Sequence, residues 1–206
     1  MNTINYAFIL RRLATISAIA TLALSLTAAV TGVLLSFYYE PTAGGAYNSL
    51  EMITSQVSYG WLIDRLHSVA GNGLIIVSLI AIVVMFLGER FRPSWLVAWI
   101  SGILLTLSAI ALSWSAMLLD WTQLGYWRFN IELGIIEAIP YFGSTLRTLL
   151  TGGGAVNTMT VARLYSLHSY ILSAGALILS IVHLAGILQQ EREQAAPDSE
   201  EPTYSS

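Results

Sequence analysis

The chain has 206 residues, of which 55% are hydrophobic and only 10% charged, and its formal net charge is −3. That much apolar surface cannot be hidden in one water-soluble domain of this length, so a bilayer must serve as solvent, and the small negative charge points away from nucleic acid. Cysteine is absent, which excludes disulfides, thiolate metal sites and iron–sulfur clusters and leaves nitrogen and oxygen as the donors for any metal.

A short segment, 1–12, ends in Arg11 and Arg12 and leads into the first apolar stretch, 13–36. Read alone, that stretch could be a cleavable signal peptide; its length and the further apolar stretches behind it favour a retained helix. A connection over 37–60 follows, rich in Tyr, Gly and Pro, and then a second apolar stretch, 66–88. A link carrying Glu89, Arg90 and Arg92 leads to the third, 96–118. The long connection 119–160 contains Trp121, Tyr126, Trp127 and short amphipathic runs, and the fourth apolar stretch covers 161–189. Each stretch meets the roughly 20 residues that a helix needs to cross about 30 Å of hydrocarbon. The expected fold is therefore all-α, an integral membrane four-helix bundle with short interfacial helices in its outer connections.

The arginines at 11, 12, 90 and 92 place the N-terminus, the second-to-third link and the C-terminus on the cytoplasmic side by the positive-inside rule, with 37–60 and 119–160 facing outward. Tyr38, Tyr39, Tyr59, Trp61, Trp121, Tyr126 and Trp127 fall near span ends, where amphipathic rings favour the headgroup layer. The glycines at 152–154 read as a flexible loop rather than a phosphate cradle, because no strand precedes them. Past Gln189 the composition turns to Glu, Gln, Pro, Ser and Asp, so 191–206 is expected to be a disordered acidic tail on a transmembrane domain of 13–190.

The chain has three histidines, His67, His168 and His183, and all three fall inside expected spans. An imidazole in hydrocarbon is costly and by default marks function. The second and fourth helices run the same way through the membrane, and His67, shortly past Trp61, and His168, shortly past the entry near Val161, both lie roughly 10 Å below the outer surface. Two imidazoles at matched depth can clamp one metal axially; the bland alternative is that each only bonds a serine or a backbone carbonyl. Zinc is a weaker occupant, since two protein nitrogens fall short of a four-ligand structural site.

Around these histidines, the stretches Phe37 to Thr42 (FYYEPT), Gly60 to Ile63 (GWLI), Trp121 to Trp127 (WTQLGYW), Glu137 to Pro140 (EAIP) and Arg163 to His168 (RLYSLH) resemble cytochrome b6, of the cytochrome b/b6 family, in order and approximate spacing over about 28–190. The resemblance implies haem b. It gives His67 and His168 as the axial ligands of an outer haem and His183 as one ligand of an inner haem. The inner partner would fall at Ala81, which cannot coordinate iron. The expectation is thus one haem, with a second, five-coordinate haem at His183 as the alternative. In the family, glycines on the first and third helices let the porphyrin approach the backbone. Gly32 and Gly102 match, whereas Ala18 and Ala116 stand at the companion positions. Ile16 stands where the family has a thioether cysteine, so no haem is covalently attached. Arg65 and Arg163 are the arginines nearest the ligands and the candidates for the haem propionates, while Asp64 stands where the family usually has arginine.

By this resemblance the chain is an electron-transfer subunit of a quinol oxidoreductase-type complex in a bacterial inner or thylakoid-type membrane, and not an enzyme on its own. Its partners would be membrane lipid, haem, quinone or quinol, a second cytochrome b half, an iron–sulfur or cytochrome c protein, and a second copy in a homodimer. The reading from a different class is a haem-poor structural or regulatory subunit. A transporter would show paired half-helices or intramembrane carboxylates, which the sequence lacks.

Overall fold

The computed structural model describes residues 6–88 and 95–195. Every regular element among them is helical: α1 (Tyr6–Ser36), α2 (Ala46–Gln56), α3 (Gly60–Leu87), α4 (Trp95–Leu119), α5 (Gln123–Glu137), α6 (Gly143–Thr151), α7 (Thr158–Ser166), a π-helical turn (Leu167–Leu172) and α8 (Ser173–Ala195). Four helical rods are long and apolar enough to cross a bilayer, at Tyr6–Ser36, Gly60–Leu87, Trp95–Leu119 and Thr158–Glu193. They coincide with the four expected spans and run past them by up to about two turns: α1 begins at Tyr6 and takes in Arg11 and Arg12, α3 begins at Gly60, and the fourth rod covers Thr158–Glu193.

The rods form a ring in which α1 packs on α3 and α8, and α4 packs on the same two, so that α3 and α8 face each other across the diagonal. With lipid on one side and protein on the other, no hydrophobic force drives the helices together, and close packing must do so. On α1 the small residues Ala14, Ala18, Thr21 and Ser25 form a buried stripe at helical spacing. On α8, Gly186 meets α4 so closely that a Cβ would lie 2.8 Å from the Ala98 nitrogen. Outward, Ile76, Val83, Ile100, Leu107 and Ile178 stand exposed at every level, a surface for which hydrocarbon is the fitting solvent.

α2, α5 and α6 are the short helices expected in the outer connections. Phe129 and Leu133 of α5 and Val161 and Leu164 of α7 join Leu118 and Leu119 in one buried cluster. The Trp114 indole on α4 also donates to Glu132 Oε2 on α5 at 2.6 Å. The rings expected at the interface differ in exposure. Tyr38, Tyr59, Trp61 and Trp127 are exposed, but Trp121 and Tyr126 pack against the α4–α5–α7 cluster. Tyr39 likewise turns inward, donating its hydroxyl to the Leu119 carbonyl at 2.8 Å and stacking on Tyr165. A carbonyl freed at the end of α4 offers an acceptor, and that outweighs the headgroup preference.

α8 continues through residues 191–195, where a disordered tail is expected from composition. The Thr15 hydroxyl on α1 donates to Glu191 Oε1 at 2.9 Å, tying that turn to the bundle. The rest of the expected tail, 196–206, and the link arginines at 90 and 92 lie outside the described residues.

Candidate cofactor site

His67 lies two turns into α3, which starts abruptly. Tyr59 is left-handed (φ 61°), and Gly60 follows with the Ile53 carbonyl so close that no Cβ could fit. His168 lies in the π-helical turn, where the Ser173 N–H bonds back five residues to the His168 carbonyl. A π-turn absorbs one residue of helical register. His67 and Ala81 are fourteen residues apart on α3, and His168 and His183 are fifteen apart on the fourth rod. The turn takes up that extra residue and gives both rods a matching angular relation between outer and inner positions.

The His67 and His168 rings face each other across the diagonal with centroids 6.2 Å apart and planes inclined by 56°. Metal bonds to imidazole nitrogen run about 2.0 Å and a ring nitrogen sits roughly 1.1 Å from its ring centre, so two rings sharing one metal should have centroids about 6.2 Å apart. Both rings are held from behind. His67 Nδ1 lies 3.0 Å from the Ala28 carbonyl and 3.2 Å from Thr31 Oγ1. His168 Nδ1 lies 3.1 Å from the Leu112 carbonyl and 3.0 Å from Ser115 Oγ. A carbonyl can only accept, so each Nδ1 carries the proton and each Nε2 keeps the lone pair a metal needs.

Around the pair lies a cavity of about 500 Å³, bordered on α1 by Ala28 and Gly32 and on α4 by Leu112 and Ala116. Gly32 is there for contact: a Cβ on it would sit 3.1 Å from His67 Cε1. A flat macrocycle between the two rings, flanked by small residues of α1 and α4, fits this geometry.

His183 is held in the same way, with Nδ1 2.9 Å from the Ala98 carbonyl and Gly102 against its ring, where a Cβ would lie 2.8 Å from Cε1. Its surroundings differ. The ring is 1% exposed and does not border the cavity, and Ala81 and Met85 on the facing helix are likewise buried. Ala14, Ala18, Val84, Met85, Ala98 and Ile187 form a continuous cluster at this level. The level of His67 and His168 is hollow and that of His183 is filled.

Neither expected propionate arginine borders the cavity. The Arg163 guanidinium donates to the carbonyls of Thr148 and Leu149 in the last turn of α6, where the helix dipole favours a cation. Arg65 points to the exposed face of α3. The charged groups at the mouth are carboxylates instead, Asp64 and Asp120. Burial and the nearby Asp64 push the Asp120 carboxyl above its ordinary range. The sequence offered a signal for Asp64, at an expected arginine position, but none for Asp120. The serines and threonines behind the histidines were also hidden, because they lie one helix away. Among the described residues no three His, Asp or Glu side chains converge as a multidentate metal site would require.

Comparison with known proteins gives matches along most of the chain. Residues 5–191 match the cytochrome b/b6/petB family. The cytochrome b6 of Cyanidium caldarium is 34% identical over 170 residues, covering 82% of this chain and 79% of that one. The cytochrome b6 of Auxenochlorella protothecoides is 31% identical over 160 residues, covering 78% and 74%. Among solved structures, a chain of a hyperthermophilic respiratory complex III aligns with a TM-score of 0.69 at 25% identity over 95% of this chain. The present chain spans about half of that one, 51% of its length.

Proposed function

The chain belongs to the cytochrome b/b6 family, and from that premise we propose that it is a one-haem electron carrier, with His67 and His168 as the axial ligands of a single haem b. The observation that carries the reading is the pair of Nδ1-anchored imidazoles at 6.2 Å beside a cavity. Bound there, haem would supply one-electron Fe(III)/Fe(II) chemistry. The chain's own residues fix two ring tautomers through Ala28, Thr31, Leu112 and Ser115 and leave room at Gly32.

The carrier would receive electrons from a quinol-linked partner. As part of a quinol-linked complex it would work beside a second cytochrome b half and an iron–sulfur or cytochrome c protein. Arg11 and Arg12 favour a cytoplasmic N-terminus, which puts the haem near the outer face. One haem at that depth leaves most of the roughly 30 Å hydrocarbon layer uncrossed. Electrons would then enter and leave on the outer side.

A second, five-coordinate haem at His183 remains the alternative. The observation in its favour is Gln190, fully buried two turns beyond His183 with neither amide atom hydrogen-bonded. A reduced-minus-oxidised optical spectrum, with haem counted per polypeptide, decides between them. One low-spin haem supports the proposal. Two haems with a high-spin component support the alternative, and none would leave the haem-poor structural subunit.

A further inference from the structure

We infer that Asp120, beside Asp64 at the mouth of the cavity, takes up a proton when the site between His67 and His168 accepts an electron. The inference rests on the haem reading above and adds a role for which no residue was expected from the sequence.

Asp120 follows directly on α4, whose last turn borders the cavity, and Asp64 reaches the same mouth from α3, one turn before His67. Two carboxylates facing one partly buried space repel each other unless a cation or a proton intervenes. The nine cationic residues of the chain are all arginine. Of those on the outer side, Arg163 is tied to α6 and Arg65 faces outward. Arg128 pairs with Glu132 at 3.1 Å and Arg147 with Glu137 at 3.5 Å. No arginine among the described residues borders the cavity.

The other titratable groups bordering the cavity are Tyr39 just past the end of α1, Tyr165 from α7, and Tyr170 and the two imidazoles from the π-turn and α3. The Tyr39 hydroxyl already donates to the Leu119 carbonyl, and burial together with the Asp120 charge holds it above the ordinary tyrosine range, so it stays protonated. The imidazoles are committed through Nδ1. That leaves a carboxylate as the group whose proton occupancy can change. Asp120 borders the cavity beside Asp64 with no arginine among the described residues lining it, and burial and the Asp64 charge hold its carboxyl above the ordinary range.

The step balances simply. One electron arrives from an external donor, one proton arrives from the outer aqueous phase, and Asp120 passes from carboxylate to carboxylic acid. The negative charge gained in the cavity is cancelled within the same space. Below the carboxyl's pKa in the oxidised state and above its pKa in the reduced state, no proton moves. Between them, each tenfold fall in proton concentration should lower the midpoint potential by up to about 59 mV.

The test is a mediated redox titration of the haem-loaded full chain against pH, for the wild type, Asp120→Asn and Asp64→Asn. The wild type should show a sloped window, Asp120→Asn should flatten it, and Asp64→Asn should move it to lower pH, because the carboxylate that raises Asp120 is gone. A reduced-minus-oxidised infrared spectrum should show a protonated-carboxyl band that is absent in Asp120→Asn. A flat wild-type profile, or a slope unchanged in both variants, overturns the inference. Should Asp120→Asn fail to hold haem, the Asp64→Asn displacement and the wild-type infrared band decide. Absence of haem from the wild type would instead refute the haem reading on which this rests.

Discussion

Replacing Gly32 by alanine separates cofactor binding from folding, because the two should move in opposite directions. The added methyl would sit 3.1 Å from His67 Cε1 and 3.5 Å from Nδ1. Carbon atoms rest at about 3.5–4.0 Å, so the ring must retreat by roughly 0.4 Å or more. Metal sites tolerate about 0.2 Å of error in a ligand distance, so a displaced His67 Nε2 falls outside that tolerance. The bond from Nδ1 to the Ala28 carbonyl would stretch from 3.0 Å as well. Disturbing the support of a ligating histidine typically costs about 10–100-fold in affinity, and a similar loss is expected here. Chain stability should not fall, since alanine in a helix interior is favoured over glycine by about 0.5–1 kcal/mol. The measurement is haem per polypeptide and the low-spin optical signal in purified protein, beside a thermal melt of the haem-free chain. Gly175→Ala, where a Cβ meets nothing within 4 Å, is the control and should leave haem content and the low-spin signal unchanged. Full haem content with an unaltered low-spin spectrum in Gly32→Ala would refute the idea that this glycine makes room for a haem ligand.

His67→Ala or His168→Ala should each abolish the low-spin signal, whereas His183→Ala should largely spare it and lower the melting temperature, because the tie from α8 to the Ala98 carbonyl is lost. Equal loss of signal from all three, read by optical spectroscopy, would contradict the assignment. Ala81→His restores an imidazole opposite His183 but places it where Ala81 and Met85 are already buried. Overpacking of that kind costs about 1–3 kcal/mol, so the expected result is a less stable chain with haem content still near one, by pyridine haemochrome assay. Arg163→Ala removes the donor to the α6 carbonyls and should loosen that helix in hydrogen exchange without changing the haem potential. A large shift in potential would mean that the guanidinium serves the propionates after all.

The four spans, the short outer helices and the three intramembrane histidines could all be read from composition and order. Hydrocarbon permits no unpaired backbone, so a long apolar run has one structural outcome, and an imidazole within it is conspicuous. The motif stretches around His67 and His168 also pointed to the right family. What lay beyond one dimension was everything set by neighbours from other helices. The π-turn at His168 showed only as a fifteen-residue spacing against fourteen. Ser115 and Thr31 are two among many small polar residues until α4 and α1 bring them behind the rings. Arg163 looked like an anion partner because it is close in sequence to His168, yet its guanidinium reaches the carbonyls near the end of α6. Asp120 became a candidate only when the end of α4 met Asp64 of α3 at one mouth. Local periodicity is a property of the chain and is written in it. The charge balance and the hollow or filled state of a site depend on which faces four helices turn toward each other, and only packing decides that.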